Sequence, residues 1–212
     1  DLRTPISNIY SLLELVINGD FNENELNDVF KELQINTFTS LQLLENLLNW
    51  ARLQKDNLTV FKEKIELSEL IENIFNLNKV SSKEKNITLI SNIPKDKYVF
   101  FDKNMLMTVL RNLIGNSIKF TNKSGIISIN LSENDKFDII AVIDNGIGIS
   151  PDKLDKLFIL NETILEKGTN GEIGTGLGLI LCKEFIERNG GTISVESSSN
   201  IGTKFIFTLP KN

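Results

Sequence analysis

Along the first quarter of the chain, apolar residues recur at alternating steps of four and three. Over residues 1–17 they stand at Leu2, Ile6, Ile9, Leu13 and Val16, the seam of an amphipathic helix. Asn18-Gly19-Asp20 carries the residue types that stop a helix and turn the chain. A second helix is predicted from about Glu23 to Gln54, with its seam at Leu26, Phe30, Leu33, Thr37, Ser40, Leu44, Leu47 and Ala51. So short a connection makes the two helices antiparallel neighbours. Two helices cannot enclose a seam on every side, so the hairpin is expected to dimerise into a four-helix bundle. Leu12, Leu41 and Leu48 widen the stripe and leave open a hairpin folded onto its own chain. Pro5 removes a hydrogen bond in the first helix. Asp1 falls in mid-pattern with no cap before it, so that helix reads as continued from upstream.

The pattern changes at Lys55-Asp56-Asn57, which places a domain boundary between a hairpin at 1–55 and a mixed domain at 58–212. Thr59–Glu66 alternates like a strand, and Leu67–Lys83 is helical with Ser68 as a cap. Ile87–Ile93 and Tyr98–Phe101 read as strands, and Asp102 caps a helix that runs to Phe120. Ile126–Leu131 and Phe137–Ile143 form a strand pair, while Thr192–Glu196 and Thr203–Leu209 close the chain. Strands arrive in groups between helices rather than in strict alternation. The expected class is therefore α+β: a helical hairpin followed by an α/β layer sandwich with a mixed sheet.

Two glycine clusters interrupt this pattern. One is Asp144-Asn-Gly146-Ile-Gly148-Ile149 and the other is Gly174-Thr175-Gly176-Leu177-Gly178-Leu179. Between them lies a polar segment without apolar periodicity, as a cover over a ligand would look. The second cluster runs into a helix-like pattern, Ile180 to Ile186, whose N–H groups and positive dipole end suit an anion such as phosphate. On the helix from Asp102 to Phe120, Asn112, Asn116 and Lys119 share a stripe, with Leu106, Leu110, Leu113 and Phe120 beside it for the core. Two amides and an ammonium suit a hydrated Mg²⁺ and phosphate oxygens; a solvated polar face is the alternative. The Asp144 carboxylate would repel a polyphosphate, so it suits a neutral donor such as an adenine amino group, unless the cluster is only a turn.

Composition narrows the classes. The chain has 212 residues, a net charge of −5 and no histidine, which argues against a sequence-independent nucleic-acid binder and removes histidine-based acid–base catalysis and most zinc sites. The one cysteine, Cys182, excludes an internal disulfide, suits a reducing compartment and reads as a buried structural thiol. No apolar run approaches a membrane span, and no signal peptide is visible.

Four motifs together carry a resemblance to sensor histidine kinases of two-component systems. Asn112-Leu-Ile-Gly-Asn116-Ser-Ile-Lys119-Phe120-Thr121 and the two glycine clusters look like that family's N, G1 and G2 boxes. Asp1-Leu-Arg-Thr4-Pro5 looks like its H box with the histidine missing from the front. The resemblance covers essentially the whole chain and implies a dimerisation hairpin followed by a Bergerat-type catalytic domain, whose ATP site is shared with gyrase, heat-shock and mismatch-repair ATPases. Carried over, it gives Asn116 to Mg²⁺, Asp144 to the adenine amino group, Asn112 and Lys119 to the phosphates, and Phe120 to the nucleoside. It gives Gly146, Gly148 and Ile149 to the base side, Gly174–Gly178 to the triphosphate, Asn161–Ile173 to the ATP lid with Lys167 as a lid cation, and Thr203 to support of the base. Phe158 stands at the F box, where Leu-Phe-Ile-Leu lacks the usual second phenylalanine.

The implied activity is that of a cytoplasmic kinase core. It would transfer the γ-phosphoryl group of ATP to a histidine just before Asp1, and then to an aspartate of a response-regulator receiver domain. Asp1 would orient that histidine, and Thr4 would serve a phosphatase reaction. Without the histidine this fragment is expected to be inactive in autophosphorylation. A catalytically silent ATP-binding dimer and a mechanical ATPase of the shared superfold are the competing expectations, and no membrane contact is expected of this fragment.

Overall fold

The computed structural model describes residues 3–19, 21–54, 59–159, 166–172 and 176–211, and the chain divides into two compact units, 1–58 and 59–212. The first unit pairs α1 (Arg3–Asn18) with α2 (Glu23–Gln54). Asn22 starts α2 with a capping box. Its Oδ1 accepts from the N–H groups of Asn24 (3.1 Å) and Glu25 (3.0 Å), and Glu25 Oε2 accepts from Asn22 N–H at 2.9 Å. Within one chain the seam stays partly open: Ile6, Leu13, Phe30, Leu44 and Leu47 are 40–53% exposed. Its polar positions need no partner, because Thr37 and Ser40 hydroxyls donate back to the carbonyls of Leu33 and Asn36.

The second unit is an α+β sandwich. A five-stranded mixed sheet runs β2-β4-β5-β7-β6, made of β2 (Thr88–Asn92), β4 (Ile126–Glu133), β5 (Phe137–Asp144), β6 (Ile193–Ser198) and β7 (Gly202–Pro210). Only the β2–β4 pairing is parallel. A separate antiparallel pair joins β1 (Lys62–Glu66) to β3 (Tyr98–Asp102). Burial alternates along β5, with Asp138, Ile140, Val142 and Asp144 buried and the residues between them half-buried. Such a sheet is covered by helices on one face only. The helices are α3 (Leu67–Leu77), α4 (Lys79–Glu84), α5 (Lys103–Phe120), the short α6 (Pro151–Leu154) and α7 (Gly178–Arg188). Leu106, Val109, Leu110, Leu113 and Ile114 of α5 are fully buried, together with Ile127, Ile129, Ile140, Val142 and Phe207 from the sheet.

The predicted elements are present, with three corrections. The helix expected over Leu67–Lys83 breaks at Asn78, whose Nδ2 donates to Ile74 O at 2.9 Å and competes with the helical ladder. Ser68 does not cap it; its hydroxyl donates to Glu66 Oε1, and no side chain caps α3. Phe120, expected in the core, is only half-buried.

Asp102 caps α5 as its position predicts, accepting from Asn104 N–H and Met105 N–H at 3.1 Å each, and also from Phe61 N–H at 3.0 Å. Asp102→Ala should therefore lower unfolding free energy by about 1–2 kcal/mol in urea titrations. A loss under about 0.3 kcal/mol would show that this carboxylate does not hold the start of α5.

Candidate functional site

Asp144 is the last residue of β5, and its side chain points to the helix-covered face, where Ser117 of α5 meets it. Ser117 Oγ donates to Asp144 Oδ2 at 2.9 Å, while Oδ1 accepts from Gly146 N–H (3.0 Å) and Thr203 N–H (3.2 Å). These bonds fill both acceptor positions of Oδ1 and leave one on Oδ2. Burial raises this carboxyl above the ordinary 3.8; the bonds from Gly146, Ser117 and Thr203 oppose that without cancelling it. The result is an oriented carboxylate with room for one further donor.

The first glycine cluster wraps this carboxylate tightly. Ile147 N–H donates to Phe120 O (3.0 Å), and Ile149 N–H donates to Ser197 Oγ (2.9 Å). The Ser197 hydroxyl donates in turn to Gly202 O at 2.7 Å and lies 3.0 Å from Thr203 Oγ1. A Cβ at Gly146 would stand 2.4 Å from Phe120 O, and one at Gly148 (φ +67°) would stand 2.0 Å from Ser198 O. These glycines are thus required first by the protein's own backbone, before any ligand approaches.

The second cluster meets the other end of the stripe. Asn112 Nδ2 donates to Gly178 O at 3.4 Å, and a Cβ on Gly178 would lie 3.2 Å from Asn112 Oδ1. The helix that starts here, α7, has no side-chain cap, so its first N–H groups are oriented for an anion. Cys182, one turn into it, is buried; burial pushes its thiol up to about 12, against a hydrogen bond with Asn112. It is therefore no nucleophile at neutral pH.

Between the clusters, residues 166–172 form a turn laid on the C-terminal end of α5. Thr169 N–H donates to Lys119 O (3.0 Å), and Thr169 Oγ1 donates to Thr121 O (2.9 Å). Lys119 Nζ donates to Glu166 O at 2.9 Å and lies 4.6 Å from the centre of the Phe120 ring. Burial lowers the Lys119 ammonium below the ordinary lysine value; Glu172 and Glu166 oppose this, and Lys85 adds to it. Asn116 is half-buried on the same stripe, and no hydrogen bond to another described residue occupies its amide. Lys167 is exposed and, among the described residues, contacts none of these groups through an ion pair.

Asn112, Lys119, Phe120, Asp144, Gly146, Gly148, Ile149, Gly178 and Thr203 are thus tied together by direct contacts around α5. Gly176 (φ +72°) and Leu177 lead into α7. Asp1, Gly174, Thr175, residues 161–165 and Ile173 of the expected lid, and the side chains of Thr4 and Pro5 lie outside the described residues. Sequence reasoning missed Ser117, Ser197 and Lys85. Ser117 had a signal, since it sits beside Asn116 on the predicted helix; the other two meet the site only through long-range packing.

An open depression of about 500 Å³ is lined by Ile126, Ser128, Ile143, Glu196 and Lys204 together with Asp144, Ser197 and Thr203. Among the described residues no group of three or more His, Cys, Asp or Glu side chains could hold a metal, and no helix is long and apolar enough to cross a membrane.

The family model of histidine kinase-, DNA gyrase B- and HSP90-like ATPases matches residues 101–212, a stretch that holds α5, both glycine clusters and β7. The chain belongs to this ATPase family. Sensor protein SrrB of Staphylococcus aureus (strain N315) is 32% identical over all 212 residues, and the chain spans 36% of the length of SrrB. The catalytic domain of histidine kinase ThkA is 30% identical with a TM-score of 0.61, over 71% of this chain and 96% of that domain. Acinetobacter baumannii histidine kinase AdeS superposes with a TM-score of 0.76 at 23% identity, over 100% of this chain and 97% of AdeS; the likeness there is one of fold. The resemblance to sensor histidine kinases carried by the sequence motifs agrees with these relatives, and the α+β ATPase fold is the one expected.

The raised carboxyl of Asp144 has a consequence for stability. Between 3.8 and its higher folded-state value the folded form holds the proton more tightly, so stability falls as pH rises through that window. Asp144→Asn, which can keep the three hydrogen bonds by presenting its oxygen to Gly146 and Thr203 and its amide to Ser117, should be at least as stable as the parent at pH 7. That advantage should shrink toward pH 4. A loss above about 2 kcal/mol at pH 7 in urea titrations would contradict it.

Proposed function

We propose that this chain is the kinase core of a sensor histidine kinase, binding ATP with Mg²⁺ in the cleft beside α5 and directing the γ-phosphoryl group to a histidine next before Asp1. The observation that carries the reading is the placement of two recognition elements along one helix. Ser117 holds Asp144 at one point and Asn112 touches the uncapped start of α7 at another, about 7–8 Å away along the axis. The carboxylate has one acceptor position left for an exocyclic amino group. Guanine would turn a carbonyl oxygen toward it and be repelled, so the site favours adenine. The start of α7 and Lys119 suit phosphate oxygens.

Mg²⁺ commonly takes one or two protein ligands, with phosphate oxygens and water completing its shell. The Asn116 side-chain oxygen fits that need, and the described residues hold no acidic cluster that would compete for the ion. Held by Asn116, Mg²⁺ would supply positive charge against the charge that develops in transfer. The chain's own residues position: Asp144 selects the base, Asn112 and α7 set the phosphates, and Lys119 adds a cation whose partial burial strengthens it. Support also comes from two solved proteins that match this chain in fold at 23% identity: ShkA in complex with AMPPNP, and ThkA in complex with response regulator protein TrrA. A response-regulator receiver domain is accordingly the partner we assign, with Asp1 orienting the histidine and Thr4 serving dephosphorylation. The open hairpin seam argues for a homodimer.

Calorimetric titration with ADP, GDP and MgCl₂ tests the site. Asp144→Asn should weaken ADP by about 100-fold and narrow its preference over GDP. Asn116→Ala, which leaves no side-chain oxygen, should abolish the magnesium dependence of binding. Unchanged ADP affinity in the first variant, or unchanged magnesium dependence in the second, would remove the corresponding role. Transfer is tested with labelled ATP on the chain extended at its N-terminus through the expected histidine. The expected result is an acid-labile phosphoryl label on a species that sediments as a dimer; ATP binding without label would mark a catalytically silent module, and a monomer would refute the bundle.

A further inference from the structure

Lys85 lies between α4 and β2, far in sequence from either glycine cluster, and its side chain is 3% exposed. Its backbone is fixed by Ser124, whose N–H donates to Lys85 O at 2.8 Å. The ammonium donates to Ile118 O (2.8 Å), Lys119 O (2.9 Å) and Thr169 Oγ1 (2.7 Å), and pairs with Glu172 Oε1 at 2.6 Å. It thus joins the end of α5 to the 166–172 turn. Glu172 also organises that turn, accepting from Asn170 N–H at Oε2 (2.9 Å) and from Gly168 N–H at its carbonyl (2.8 Å). A Cβ at Gly168 would lie 2.2 Å from Glu172 Oε2 and 2.8 Å from Lys119 O, so the turn is seated without slack.

An ion pair with one buried partner is a poor device for stability, because desolvation of the lysine offsets most of the attraction. What this one supplies is location: a non-directional apolar contact would hold two segments together but not in one register. The turn's other end is secured differently. Glu166 is held by Lys119 Nζ at its carbonyl and by Lys153 at its carboxylate, both groups on half-buried side chains. The Glu172 end instead meets an ammonium that is itself buried, and the turn runs from there to the contact of Glu166 O with Lys119.

We propose that Lys85 and Glu172 are positioning residues for phosphate binding: their ion pair, buried on the lysine side, clamps the 166–172 turn to the end of α5 and so holds Lys119 in the nucleotide cleft. This rests on the nucleotide reading of the site. Neither residue bonds to Asp144 or to the Ser117 hydroxyl that braces it, so loss of the clamp acts on phosphate binding before it acts on recognition of the base. Burial works to raise the Glu172 carboxyl, but its bonds to Lys85 and to the turn's N–H groups carry it below the ordinary 4.5. The clamp is therefore intact above that value and weakens as pH falls through the lowered one.

The test uses the full chain and two probes, ADP and adenosine. Glu172→Gln, at a half-exposed position, keeps the shape of the turn and removes the charge. It should weaken ADP by about tenfold while leaving adenosine within about twofold. In hydrogen exchange, the amides of Thr169 and Gly171 should open faster than in the parent. Lys85→Met should show the same pattern among molecules that fold, and the double variant should lose no more than the worse single variant, because both act through one contact. Equal weakening of both probes, or unchanged ADP affinity in Glu172→Gln, would overturn the clamp. A parent chain that binds neither probe would instead overturn the nucleotide reading, and the clamp's role with it.

Discussion

The last turn of a helix leaves carbonyl groups with no intrahelical donor, and the second unit is built around how α5 satisfies its own. Ser117 O takes Thr121 N–H, Ile118 O and Lys119 O take the Lys85 ammonium, Phe120 O takes Ile147 N–H, and Lys119 O and Thr121 O take Thr169. Apart from Thr121, which is the helix's own C-cap, the donors come from three other segments: the α4–β2 connection, the first glycine cluster and the 166–172 turn. One helix terminus therefore recruits the pieces that border the cleft. The negative end of the helix dipole adds to this, since a buried ammonium is best placed where carbonyl oxygens point at it.

The carboxylate at the other side of the cleft follows a different logic. Asp144 is almost fully buried and is raised in pKa, so at neutral pH its charge opposes folding rather than assisting it. Its three hydrogen bonds reduce that opposition and fix its direction, leaving one acceptor position of known orientation. A group that is unfavourable for the fold yet held by three segments marks a recognition site better than an exposed polar residue does. Its neighbours Gly146 and Gly148 show the same tightness, because the space that a side chain would need is filled by backbone of α5 and of the β6–β7 connection.

The helical unit is governed by a simpler constraint. Two helices bury one side of each other's apolar stripe and leave the outer part to solvent, which is why large apolar side chains on both helices stay open in a single chain. Its polar seam positions satisfy themselves, so what remains for a partner to cover is apolar.

Local pattern determined much of this protein. Periodicities of 3.6 and 2 placed α1, α2, α5 and the strands; Asp102 announced the start of α5; and the spacing of Asn112, Asn116 and Lys119, with the two glycine clusters, marked where the cleft would lie. Those signals are legible because each arises within a few residues along one element. Tertiary structure alone decided which partners complete them. That Ser117 rather than a residue on the polar stripe braces Asp144, that Ser197 ties the first glycine cluster to β7, and that Lys85 reaches the turn through the end of α5 are outcomes of packing between segments distant in sequence. The break at Asn78 belongs with them, since an asparagine side chain that takes a carbonyl from the helical ladder looks no different in sequence from one left in water. A lysine or a serine carries no mark of the carbonyl it will find, because a hydrogen bond is specified by geometry that only the folded chain supplies.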